Sequence, residues 1–186
     1  MEKVKKILPR LALTATLITL SLVFSASYAQ AQEPGISTEH RDYIAANCQP
    51  VKSTLARLHT NDGPTYVNRN QTYFSISDKL ISRFNGRLAL SSYDMTQFSR
   101  LARDYNAALS SFRIAFGKYD DTMKALLKID CSKQPEQFYT AVAAAREQRG
   151  QLHEAVARIN TMITQYGQAV TALDEQLKED ADERRS

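Results

Sequence analysis

Histidine, cysteine and carboxylate side chains are the ones most able to hold a metal or move a proton, and in this chain they stand far apart. The three histidines, His40, His59 and His153, share no metal-binding spacing with cysteine or carboxylate, and His153-Glu154 reads as an ordinary surface pair. No Gly-rich phosphate loop, G-x-S-x-G elbow or Cys-x-x-Cys pair occurs. Arg83, Arg87, Arg100, Arg103 and Arg113 interleave with Phe84, Tyr105 and Phe112, a mixture that elsewhere grips an anionic ligand or a single strand. Here the aromatics fall on an apolar stripe and the arginines beside it, so the arginine stems cover the seam while their heads stay in water. These spacings predict no catalytic residue, no metal site and no cofactor.

One charge is out of place. Arg149 interrupts the series Phe138, Val142, Ala145, Leu152, Val156, Ile159, Ile163, Tyr166, Val170, Leu173 and Leu177, which advances in steps of four and three. An inward arginine without a partner would cost several kcal/mol, so it requires a carboxylate. At 1.5 Å per helical residue, Arg149 lies about 20 Å from the turn before Pro135, level with 118–121 on the preceding helix and 62–69 on the first. Asp120, Asp121 and Asp62 are therefore its candidate partners, shared with Arg146 one turn away. Such a polar layer fixes helix register and need not bind anything.

The elements that must position these groups are helices throughout. The 135–179 stripe alone would span about 65 Å. Before it, Phe98, Leu101, Tyr105, Leu109, Phe112, Phe116, Tyr119, Met123 and Leu126 mark a helix that Asp94 caps, with Gln97 as capping-box partner and Tyr93 stapling onto Phe98. The first stripe runs Ile44, Cys48, Val51, Leu55 and Leu58, then Tyr66, Tyr73, Ile76, Leu80, Phe84 and Leu88, starting at a Ser37 or Thr38 cap. Pro50 requires a restart or kink there, and Asn61-Asp62-Gly63-Pro64 reads locally as a turn.

The opening residues carry an export pattern. Lys3, Lys5, Lys6 and Arg10 precede an apolar run from Leu11 to Phe24 and the small residues of Ala29-Gln30-Ala31. Cleavage after Ala31 leaves Gln32 as the new terminus, with Ser27-Tyr28-Ala29 as a second site and an uncleaved anchor as the alternative. The net charge of +4 is then misleading, since losing those four cations and Glu2 leaves 20 Lys and Arg against 19 Asp and Glu. A near-neutral chain argues against nucleic acid as partner. The expected organisation is a signal peptide at 1–31, one helical domain at 32–179 and a disordered charged tail at 180–186.

In an exported chain, Cys48 and Cys131 are most simply a disulfide, and the bridge discriminates between topologies. If 61–64 were a hairpin turn, the two cysteines would differ in height by roughly 30 Å, far beyond the reach of a disulfide. If one helix instead continues through Gly63-Pro64, Cys48 to Ser91 spans about 65 Å and the return from Asp94 to Cys131 about 56 Å, which brings the sulfurs level. The predicted fold is thus all-α, an elongated antiparallel bundle of three long helices over 38–91, 94–130 and 135–179 with coiled-coil-like packing, the first kinked near Gly63-Pro64.

Asn47-Cys48, Phe84-Asn85-x-Arg87-Leu88, Ile129-Asp130-Cys131, Pro135-x-x-Phe138-Tyr139 and Arg146-x-x-Arg149 together resemble small exported helical proteins of ultrasmall candidate-phyla bacteria such as Saccharibacteria. The resemblance spans nearly the whole chain after the signal segment and implies an export product without an assigned activity. The expected role is a non-catalytic structural or protein-interaction bundle of the cell envelope or exterior. Its partner would be a protein or envelope component, and the membrane would be reached only through an uncleaved signal segment. The alternatives are an extracytoplasmic holdase and, from another class, a small-ligand carrier or enzyme with a pocket between helices.

Overall fold

Proline and polar punctuation decide where the first helical stretch breaks. Ser37 accepts a hydrogen bond from the His40 amide and starts α1, Thr38–Ala46. Pro50 has no N–H for the Ala46 carbonyl four residues back, and α1 ends at that residue. The chain restarts at once as α2, Cys48–Ser75, with Pro50 in its first turn, where a missing donor is harmless. Pro64, by contrast, lies inside α2, which continues through Gly63 and Pro64. The computed structural model from which these elements are read describes residues 35–185 apart from Ser92; the expected signal segment and the Ala31 cleavage site lie outside the described residues.

A π-helical segment, Ile76–Ser82, follows α2 and leads into α3, Arg83–Leu88. Its wider turns insert one residue into the repeat. Buried positions advance from Tyr66 to Tyr73 by seven, then to Ile81 by eight, then to Leu88 by seven. Leu80, which the sequence placed on the stripe, is consequently 62% exposed, and Ile81 is buried in its place. Val51, placed on the same stripe, is also turned partly to solvent, 38% exposed.

The other two helices keep the repeat without interruption. α4, Thr96–Lys128, buries Phe98, Tyr105, Phe112, Tyr119 and Leu126 at every seventh residue. α5, Pro135–Glu183, does the same with Phe138, Ala145, Leu152, Ile159 and Tyr166. These two share the most extensive interface in the described chain, α2 and the π segment pack on α4, and α1 touches α5. Met95 caps α4 without a side-chain bond, while Asp94 accepts from the Thr96 amide at 2.8 Å, so the helix begins one residue later than a cap at Asp94 would place it. α5 runs through Glu179 to Glu183, into the stretch expected to fray.

Among the described residues the chain is all-helical. Cys48 and Cys131 form a disulfide with Cα atoms 5.4 Å apart, fastening the start of α2 beside the end of α4. Lys52 donates to the Ile129 carbonyl at 2.9 Å, placing a cation at the negative end of α4. In the chain-entropy model a bridge closing a loop of this length stabilises by about 4.5 kcal/mol.

Candidate functional site

Arg149 stands on α5 between Val142 and Val156, one position after Gln148 on the neighbouring row. Across the interior it meets Asp62 of α2: Nη2 donates to Oδ1 at 3.4 Å, and Nε sits 3.4 Å from Oδ2 without making a hydrogen bond. The Tyr119 hydroxyl of α4 donates to the same carboxylate at 2.6 Å. Asp62 thus joins three helices. Burial pushes the Tyr119 pKa up and the bond to Asp62 adds to it; Tyr66 moves the same way, first by burial and then by the charge of Asp62. Gln148 Oε1 is buried without a hydrogen-bond partner beside this cluster. Asp62 is 14% exposed at its side chain and Arg149 38%, so water screens part of the guanidinium while its buried Nε faces the largely covered carboxylate.

The remaining residues expected in that layer go elsewhere. Asp120 pairs with His59 at 2.7 Å and with Lys124 on its own helix. The hydrogen bond from Lys124 and, to a lesser degree, that from His59 hold the Asp120 carboxyl below its ordinary range. Asp121 is exposed on the outer side of α4. Arg146 is exposed too, on the rim of a shallow cleft with Ile44, Val51 and Phe138 near the disulfide. Tyr119 and Gln148 escaped the sequence reading: a tyrosine on an apolar stripe reads as core, and only tertiary placement gives its hydroxyl a partner.

Two further tyrosines bracket the π segment. The Tyr105 hydroxyl donates to the Tyr73 carbonyl at 2.8 Å, and that of Tyr166 to Asn85 Oδ1 at 2.6 Å. Asn85 in turn donates to the Phe98 carbonyl at 3.3 Å. Burial pushes Tyr105 and Tyr166 up to about 12. The rings of Phe84, Phe98 and Tyr166 meet edge to face or tilted within 6.2 Å, forming a rigid floor.

On the outer side of that floor the π segment, α3 and α5 enclose an open groove of about 480 Å³. Phe84, Tyr166 and Val170 line its base and Leu80 stands at its edge. Lys79, Arg83 and Arg87 form the rim, and none of the three makes an ion pair among the described residues. Arg100 lies apart from this row, paired with Asp104, and Arg113 bonds Asn70 and covers Phe74.

The Asp62 group is a carboxylate, a guanidinium and phenols with raised pKa values, an arrangement suited to holding three helices in register. The groove offers an apolar floor and fixed positive charge, which is recognition chemistry. No group of three or more His, Cys, Asp or Glu among the described residues is placed to hold a metal ion. No helix among them is long and apolar enough to cross a membrane. The chain matches no family model, no curated protein and no solved structure. Fold and site define a class, a disulfide-closed all-α chain with an apolar core and a basic-rimmed groove.

Proposed function

We propose that this chain is an exported, non-catalytic protein-interaction module of the cell envelope or exterior. In this reading the helical stretches form an antiparallel bundle of three, the first bending at Gly63-Pro64, with the seven-residue burial repeat giving coiled-coil-like packing. The observation that carries the reading is the groove: Leu80, a large apolar side chain 62% exposed, stands beside three cations that make no ion pair among the described residues. Charged and apolar surface left unmatched together is what a binding face presents before its partner arrives. The resemblance to exported helical proteins and the opening export pattern support the location.

A photo-crosslinking amino acid at position 80 tests this in intact cells. Position 80 is expected to trap a discrete protein partner, while the same probe at Ile114, 57% exposed on α4, traps none. Equal or absent labelling at both positions would overturn it.

A further inference from the structure

We infer that the groove between the π segment, α3 and α5 receives an amphipathic helical segment of a partner, apolar on one side and carrying carboxylates at successive i, i+4 positions along its flank. The inference deepens the interaction reading and rests on it. Lys79, Arg83 and Arg87 follow one another at four-residue intervals along the groove rim. Arg83 and Arg87 on α3 stand one turn apart, about 6 Å along the axis, and Lys79 on the π segment continues the row one turn back. Carboxylates at i and i+4 on a helix laid alongside match the interval between Arg83 and Arg87, and a third at i+8 lies toward Lys79 at the end of the row. A single lipid head group concentrates its charge at one point and would use one or two of these cations. A nucleic acid strand would meet, over residues 32–186, 20 Lys and Arg against 19 Asp and Glu, without the basic excess that holds polyanions. The floor is apolar and already rigid: Phe84, Tyr166 and Val170 face the groove, and Tyr166 is pinned by its bond to Asn85. The π insertion supplies the second observation. It moves Ile81 inward and leaves Leu80 on the groove edge, where an apolar residue serves an incoming helix and not the core.

Fluorescence anisotropy with a labelled synthetic helix tests the occupant, using the disulfide-intact chain. The probe carries leucines at i, i+3, i+4 and i+7 with glutamates at i+1, i+5 and i+9 on the flank, and its control has lysines in place of the glutamates. The acidic helix is expected to bind, with affinity falling as salt rises, and the lysine helix to bind at least tenfold more weakly. The Lys79→Glu, Arg83→Glu, Arg87→Glu variant is expected to lose roughly tenfold toward the acidic helix and to gain the lysine helix. Leu80→Gln should weaken both. All these side chains are exposed, and an unchanged far-ultraviolet spectrum and melting point show that the variants fold. Equal binding of the acidic helix by wild type and triple variant would overturn the inference, as would preference for anionic phospholipid vesicles or an oligonucleotide, or no binding at all. A partner trapped at position 80 alongside failure of the acidic helix sinks this inference alone; no trapping at position 80 sinks the interaction reading beneath it.

Discussion

α4 and the stretch made of α1, α2, the π segment and α3 are built from similar residue types and pack on one another, yet they behave differently as elements. α4 places Phe98, Tyr105, Phe112, Tyr119 and Leu126 at a constant interval of seven and runs unbroken through 33 residues. The first stretch has Pro50, a polar row at Lys52, His59 and Asp62, and an eight-residue step at Tyr73 to Ile81. It divides at Asn47 and widens at Ile76. Constant spacing lets every turn bury the same face, so helix and core support each other; where the spacing slips, the backbone absorbs the mismatch and a side chain such as Leu80 is turned out. The regular helix takes part in the most extensive interface of the described chain, and the irregular stretch, together with α5, borders the open groove.

The strongest way to break this contrast is to remove its covalent tie. Replacing Cys48 and Cys131 with serine should lower unfolding free energy by about 4.5 kcal/mol. Hydrogen exchange should then quicken in α2 well before α4 and α5; uniform acceleration would mean that the first stretch is no weaker than the rest. Phe112→Ala, in the middle of the regular repeat and fully buried, should cost about 4 kcal/mol by denaturant titration, whereas Phe74→Ala on α2, 53% exposed, should cost less than about 1 kcal/mol. Similar losses would erase the distinction.

Alkali attacks where the irregular stretch is tied to α4 and α5. Tyr105 and Tyr166 have folded pKa values raised from 10.0 to about 12, so the folded chain keeps protons that the unfolded chain releases. Their stabilising contribution is complete below about pH 10 and declines as pH rises through about 12. Melting temperature should therefore fall over that window, with a smaller fall in Tyr105→Phe. A pH-independent melting point there would place these hydroxyls in water.

Arg149→Leu removes a partly screened partner of Asp62 and should cost about 1 kcal/mol, against less than about 0.5 kcal/mol for Arg158→Leu on the outer face. Equal, negligible effects of the two would show that the Asp62 cluster does not set register. The smallest effect is expected from deleting Leu80. The deletion returns the step from Tyr73 to the buried isoleucine to seven residues, so the melting point should hold or rise while the groove edge is lost. A large destabilisation would mean that the π segment serves the fold and not the surface.

By itself the sequence determined the all-helical class, the position of most helix ends, the apolar faces of α4 and α5, and the pairing of its two cysteines. These follow from local causes: residue spacing, proline's missing donor, and the height at which two thiols can meet. Asp62 was among three carboxylates that counting along helices placed near Arg149, and axial position alone could not choose between them. Helix rotation decided it, turning Asp62 inward, Asp120 toward His59 and Asp121 to solvent. The exposure of Leu80 was likewise invisible, because a stripe read at constant pitch assigns it to the core. Only packing against α4 and α5 revealed the extra residue of the π segment, since burying Tyr73 and Ile81 together requires one more residue between them than a regular repeat supplies. The groove depends on that residue, which places Leu80 beside Lys79, Arg83 and Arg87 through a backbone choice that only the tertiary contacts stabilise.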